Sequence, residues 1–256
     1  VEHFNNPGIT ANDAFKPVTR YFDRITRPEQ IISSLQQALH VMLDPADCGP
    51  ACISLSQDVQ GETYDYPEEF FKERIHTIRR AKPDDFQIKE AVELIKKSKK
   101  PIIISGGGVF YSDATNELSA FAIKHNIPVT QTVMGYSTMK KDHSHYLGVI
   151  GGLGGRAANN LSKETDTAIA IGTKLADFTT GSWANFENPN FKLVSINAAR
   201  FDANKHMAQA IVGDAKVSLM ELSQALGNWK ADDNWYKKSR VELKEWESYV
   251  DKESAP

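Results

Sequence analysis

In Pro101-Ile-Ile-Ile-Ser-Gly-Gly-Gly108 an apolar run passes straight into three consecutive glycines, and this stretch constrains the fold more than any other. Four apolar residues in a row read as a strand buried on both faces, as in a parallel sheet covered by helices. Some twenty residues later a second run, Ile127-Pro-Val-Thr-Gln-Thr-Val-Met-Gly135, ends in glycine too, and a third, Thr167-Ala-Ile-Ala-Ile-Gly-Thr173, does the same. Repeated strand ends of this kind bring backbone close to a ligand at the carboxyl edge of an open sheet. No obvious catalytic constellation accompanies them.

Between these strands the sequence alternates regularly. Asp84 is placed to cap a helix whose buried face is Ile88, Ala91, Val92 and Ile95, with Gln87 at its third position and Lys96 to Lys100 suiting the negative end of its dipole. The pattern then predicts strand 102–105, helix 115–125, strand 128–132, a short strand at 147–150, helix 155–164, strand 167–172, strand 192–197, a short strand at 210–212 and helix 215–226. This βαβ rhythm is an α/β doubly wound parallel sheet. Ahead of it, residues 1–25 lack periodicity and read as irregular. Thr26-Arg-Pro-Glu29 has the form of a capping box before a helix with Ile31, Leu35, Ala38 and Met42 on one face. Ala51-Cys-Ile-Ser-Leu-Ser56 reads as a strand, and 60–83 as a solvated crossing segment containing a domain boundary. At the other end Trp235, Leu243, Trp246 and Val250 share one side of a charged helix. Two exposed tryptophans would be costly, so that helix must dock.

Bulk properties exclude several classes. The 256 residues suffice for one large domain or one domain and part of another, and 41% hydrophobic with 25% charged content describes an ordinary globular protein. A net charge of -3 leaves no footprint for nucleic acid or an acidic membrane. No apolar run approaches a membrane span, and Val1-Glu-His-Phe-Asn-Asn has no signal-peptide character, so a cytoplasmic location is expected. The missing initial methionine suggests an excised segment. Cys48 and Cys52 make no disulfide framework and no metal knuckle. His143 and His145, in a polar loop without carboxylate partners at metal spacing, read as surface histidines.

Gly106, Gly107 and Gly108 could cradle a phosphate through backbone N–H groups, or simply permit a tight strand-to-loop turn. They do not form G-x-G-x-x-G, and the next helix is expected only some six residues later. Gly151-Gly-Leu-Gly-Gly155, just before a predicted helix, is a second anion or cofactor neighbour. Asp214 is most simply a helix cap. No nucleophile elbow or P-loop occurs.

The order of these pieces resembles the thiamine-diphosphate enzymes. Pro50-Ala-Cys-Ile-Ser-Leu-Ser-Gln-Asp-Val59 is similar to the segment that ends their pyrimidine-binding domain. Lys100 to Gly108, Ile127-Pro-Val with Met134-Gly135, Ile171-Gly-Thr-Lys174 with Asp177, and Gly213-Asp-Ala-Lys216 follow in the order of their Rossmann-like central domain. Asn12 to Gln30 and Ser56 to Asp65 are closest in wording to the branch that hydrolyses cyclic 1,2-diones in bacterial inositol catabolism. The resemblance implies residues 1–60 as the tail of a pyrimidine-binding domain, 61–83 as linker, 84–228 as central domain and 229–256 as a helix toward a diphosphate-binding domain. It also implies a cyclic polyol-derived dione as substrate and 5-deoxy-glucuronate as product. Thiamine diphosphate and magnesium would be held between subunits of a homodimer or homotetramer. An acetohydroxyacid synthase-like enzyme and a free-standing nucleotide-binding module are the alternatives.

The family's G-D-G…N diphosphate motif is missing, since the only Gly-Asp is Gly213-Asp214, and the pyrimidine-activating glutamate belongs to a region upstream of Val1. No catalytic residue or metal ligand is therefore assigned here. Relatives that use flavin place it against positions matching Gly106, Gly107, Gly108, Met134, Gly135, Gly151, Gly172 and Lys174. They carry Asp-rich wording after the two strands where this chain has Ala176 with Phe178 and Asn197 with Ala198. An acid there would hold ribose hydroxyls, so a vestigial nucleotide crevice without tightly bound FAD is expected.

Overall fold

The computed structural model describes residues 2–254, which divide into two compact units meeting at Arg79 and Arg80. No helix among these residues is long and apolar enough to cross a membrane.

In the first unit β1 (Glu2–His3) pairs antiparallel with β2 (Asn6–Thr10), and β3 (Tyr21–Ile25) pairs parallel with β4 (Ala51–Leu55). The crossover between β3 and β4 is α1 (Ile31–Leu43), which buries Ser34 and Ala38. The strand β3 corrects the irregular reading of 1–25. Its Asp23 and Arg24 interrupt any apolar run, and Asp23 instead receives the buried Ser34 hydroxyl from α1. The capping box also shifts by one residue. Gln30, not Glu29, reaches back, its Oε1 accepting from Thr26 N at 2.7 Å and Arg27 N at 2.9 Å, while Glu29 pairs with the Arg27 guanidinium. A 3-10 turn over Pro28–Gln30 causes the shift.

The second unit opens with α2 (Asp85–Lys97), capped as expected by Asp84, whose Oδ1 accepts from Phe86 N at 2.8 Å. Gln87 serves another purpose: its Oε1 accepts the Val212 amide at 2.9 Å and ties the helix to a strand end. There follow β5 (Pro101–Ser105), α3 (Gly107–Tyr111), α4 (Thr115–His125), β6 (Val129–Gln131), β7 (Tyr146–Val149), α5 (Arg156–Glu164), β8 (Thr167–Ile171) and α6 (Asp177–Thr180). The unit continues with β9 (Lys192–Asn197), α7 (Arg200–Ala203), β10 (Gln209–Val212), α8 (Ala215–Leu226) and α9 (Asp233–Glu253). All six strands are parallel in the order β10-β9-β8-β5-β6-β7. That is the doubly wound order in which the chain runs outward from β5, then returns to continue from β8 on the other side. Helices α2, α4 and α8 pack together over one face. Helices α5 and α9 pack together, and right-handed crossovers in the opposite direction put them over the other face.

β5 and β8 are fully buried, which accounts for their unbroken apolar sequence. α9 docks by Trp235, whose indole N–H donates to Pro101 O at 2.8 Å at the amino end of β5, and by Leu243 in the core. Farther along, Trp246 fills the place a Gly155 side chain would take, its Nε1 2.7 Å from an ideal Cβ there. Asp214 caps α8 through Oδ1, which accepts from Lys216 N at 3.0 Å and Val217 N at 3.3 Å, while Oδ2 takes Arg80 Nη1 at 3.0 Å.

The three glycines after β5 do not form a free loop. α3 begins at Gly107, eight residues earlier than periodicity placed a helix, because glycine propagates helix too poorly to be read as one. Gly106 and Gly108 cross Gly172 at the end of β8 in backbone contact. A Cβ on Gly172, whose φ is +60°, would lie 2.6 Å from Gly108 Cα.

Two measurements by urea unfolding check this account. Asp214→Ala removes the cap and leaves Arg80 unpaired, and is expected to destabilise the second unit by about 2–3 kcal/mol, with Asp214→Asn costing roughly half. Gly172→Ala combines an unfavourable φ with a backbone clash and should cost about 3 kcal/mol. Gly152→Ala, whose nearest neighbour is 3.9 Å away with no positive φ, should cost less than about 0.5 kcal/mol.

Candidate functional site

The boundary between β5 and β8 is the point at which the strand order reverses, where a doubly wound sheet ordinarily opens a crevice at its carboxyl edge. Six of the eight expected positions meet there. Gly106 and Gly108 abut Gly172, Gly107 faces the Met134 carbonyl at 3.0 Å from an ideal Cβ, and Gly135 packs on the Ser105 carbonyl. Gly151, with φ +103°, lies apart and packs on the Phe178–Thr179 backbone. Lys174 reaches toward α7, its Nζ 4.0 Å from Asp202 Oδ2.

Closeness of backbone is not the same as free donors. Gly106 N donates to Ile171 O at 2.8 Å, Gly108 N to Gly172 O at 2.9 Å, and Gly172 N to Ile196 O at 2.8 Å. Gly135 N is held by Thr132 O and Thr132 Oγ1 at 2.9 and 3.0 Å. In the second glycine-rich loop Gly151 N donates to Asn159 Oδ1 at 2.9 Å, Gly152 N to Phe178 O at 2.7 Å and Gly155 N to Val149 O at 2.8 Å. A phosphate nest needs amides pointing outward and unpaired. These amides are spent on closing the strand ends against one another. Asn197, where an acid would face a ribose, is committed likewise: Nδ2 donates to Thr173 O at 3.3 Å and Oδ1 accepts from Ala199 N at 3.0 Å.

The edge is instead rimmed by apolar side chains. Met134, Tyr136 and Phe178 are 78%, 71% and 71% exposed, and Phe110 and Tyr111 at the end of α3 and Leu153 in the second glycine-rich loop are exposed as well. Sequence periodicity gave no role to these residues because they lie in the short helices α3 and α6 and in tight turns, too brief to show a period. Their nearness in sequence to glycines at strand ends was the available signal.

The residues do not fit the diphosphate and magnesium of a thiamine cofactor. Both oxygens of Asp214, the only aspartate following a glycine, are occupied by two helix amides and a guanidinium, and the side chain is almost fully buried. Among the described residues no three His, Cys, Asp or Glu side chains gather into a set able to hold a metal. No reaction step through the cofactor can be built on this chain's own groups.

His145 departs from the surface reading, being only 7% exposed, with its ring 4.6 Å from that of Tyr236 in α9. Burial, assisted by neighbouring His143 and Arg240, depresses its pKa to about 4. The polar look of 140–145 concealed this, because the covering ring comes from ninety residues downstream.

Comparison with known proteins places these features. The profile of the family described as thiamine pyrophosphate enzyme, central domain, matches residues 88–222. A 3D-(3,5/4)-trihydroxycyclohexane-1,2-dione hydrolase of Clostridium perfringens (strain 13) is 48% identical over 226 residues, covering 88% of this chain and 35% of the relative. The enzyme of the same name from Bacillus subtilis (strain 168) is 46% identical over 232 residues, 91% and 36% of the two chains, and that of Clostridium tetani 42% identical, covering 100% and 41%. The chain thus spans well under half the length of these relatives. With more than half of its residues matched by the profile and its six strands in the doubly wound order, the chain belongs to the thiamine pyrophosphate enzymes, through their central domain.

Proposed function

We propose that this chain is the central scaffold of a thiamine-diphosphate-dependent hydrolase that cleaves a C–C bond of a cyclic 1,2-dione. Trihydroxycyclohexane-dione would be opened toward 5-deoxy-glucuronate in myo-inositol catabolism in the cytoplasm. The observation that carries this reading is identity of 46–48% to hydrolases of that name along nearly the whole chain, both units included. The same names favour the hydrolase over an acetohydroxyacid synthase-like enzyme, and the family match favours it over a free-standing nucleotide module. Thiamine diphosphate and Mg2+ would be bound by parts of the polypeptide other than residues 84–228, in a homodimer or homotetramer. Residues 1–60 would be the tail of a pyrimidine-binding domain, 61–83 a linker and 229–256 the helix toward the diphosphate-binding domain. In support, a two-stranded β3–β4 pair is too small a sheet to be stable by itself.

Within this scaffold Gly106, Gly107, Gly108, Met134, Gly135, Gly151, Gly172 and Lys174 would mark a vestigial nucleotide crevice. Its support is the internal pairing of the glycine amides and of Asn197. Losing one ribose contact costs about 1–3 kcal/mol, up to roughly a hundredfold in affinity.

Full-length protein supplied with thiamine diphosphate and Mg2+ is expected to open the cyclic dione and to leave pyruvate untouched; turnover of pyruvate would replace this reading with the synthase. Calorimetric titration of the 256-residue chain with thiamine diphosphate and Mg2+ should give no heat of binding, and micromolar affinity would overturn the scaffold assignment. The protein should purify colourless, with no rise in melting temperature on adding FAD; a yellow, stoichiometric flavin complex would show that Asn197 is no obstacle.

A further inference from the structure

Around the first turns of α9 the amino edge of the sheet gathers three histidines, and a neutral ring with one donor and one acceptor nitrogen completes the hydrogen bonds of each. Asn126, the left-handed C-cap of α4, donates Nδ2 to Ala231 O at 3.3 Å and to Asp233 Oδ1 at 2.9 Å. Its Oδ1 is therefore an acceptor, and His145 Nε2, 3.3 Å away, carries the proton; His145 Nδ1 then accepts from Ser144 Oγ at 2.9 Å. His143 Nδ1 accepts the His145 backbone N–H at 3.1 Å, so its proton sits on Nε2, facing Ser119 Oγ at 2.9 Å. His125 Nδ1 faces the Trp229 carbonyl at 2.7 Å, which can only accept, leaving Nε2 to accept from Ser223 Oγ at 3.2 Å.

A second proton is unwelcome on each ring. On His143 Nδ1 it would meet an amide hydrogen head-on. On His145 or His125 it would force a serine hydroxyl to reverse, and Ser223 Oγ already accepts from Lys124 Nζ at 3.2 Å. The facing charges do not compensate. Lys124 and Lys230 lie near His125, and Arg240 near His143 and His145, against Asp142 beside His143 and Asp233 reached through Asn126. The same groups hold the helix. Ala231 N donates to His125 O at 2.9 Å, Tyr236 lies tilted against the His145 ring and donates its hydroxyl to Ser144 O at 3.0 Å, and Arg240 Nη1 donates to Tyr146 O at 2.6 Å.

We propose that His125, His143 and His145 form an acid-sensitive latch, whose protonation frees the start of α9 from the amino edge while the six-stranded sheet stays folded. The sheet's centre, Ile102–Ile104 and Ala168–Ile171, contains nothing that titrates. The sign follows from linkage. A ring held neutral when docked and free to protonate near pH 6.5 when released favours docking above pH 6.5, and the preference is lost as pH falls toward the docked value. For His145, docked at about 4, the opening equilibrium rises roughly thirtyfold between pH 7.5 and pH 5. His125 and His143, lowered chiefly by burial, act in the same direction.

Native-state hydrogen exchange on the whole chain, corrected for intrinsic rates, tests this. Between pH 7.5 and 5.0 the protection of amides in 233–243 should fall at least about thirtyfold relative to amides of β5 and β8. In His143→Gln/His145→Gln the differential should largely vanish. Parallel loss of protection in α9 and β5, or an undiminished differential in the double variant, would overturn the latch. Should that variant fail to fold, NMR titration of the histidine rings in the unmodified chain decides: values of 6.5 or above for His143 and His145 would refute it, and values below are required by it.

Discussion

The crossing of Gly106 and Gly108 over Gly172 joins the two halves of the sheet at the one place where the strand order reverses. Gly108 N reaches Gly172 O, and no side chain larger than hydrogen fits between the strand ends. Everything to one side, β6 and β7 with α4, and everything to the other, β9 and β10 with α7, is positioned relative to this contact. In this run of three glycines, two bring backbone directly against backbone.

That use of glycine determines what the carboxyl edge can offer. An amide donates one hydrogen bond, and those of Gly106, Gly108, Gly135, Gly151 and Gly172 are already spent inside the fold. What remains outward is mostly apolar, Met134, Tyr136 and Phe178, with Lys174 beside them. An edge of this kind suits packing better than anion recognition. This agrees with a scaffold role and with an Asn197 that stitches two loops together rather than reaching for a hydroxyl.

How much of this was legible in the sequence depended on how local the cause was. The fully buried strands β5 and β8, the largely buried β9 and the helices α4 and α8 declare themselves, because apolar runs and 3.6-residue periodicity are properties of short windows. Caps at Asp84 and Asp214 were equally readable, each bonding two or three residues ahead. β3 escaped because its partner β4 lies thirty residues on and its Asp23 and Arg24 break the pattern. The glycines were located correctly but their purpose was not decidable, since nothing within Gly106–Gly108 announces Gly172 sixty-odd residues later. The buried state of His145 likewise depends on Tyr236, and no local window contains both.

α9 shows how one element can serve both edges. The eleven-residue rise from Trp235 to Trp246, about 17 Å, carries it from the Pro101 carbonyl at the amino end of β5 to Gly155 beyond the carboxyl end of β7. Its anchors differ in kind along that length. Trp235, Leu243 and Trp246 hold it by burial and one neutral hydrogen bond, which pH does not touch. The titrating groups His125, His143 and His145 gather only around its beginning, in the same turns as Trp235. Since Trp246 also occupies the space beside Gly155, any shift of the helix along its axis must be felt by the Gly151–Gly155 loop. The apolar anchors set where the helix lies, and the histidines set how firmly its first turns are held there.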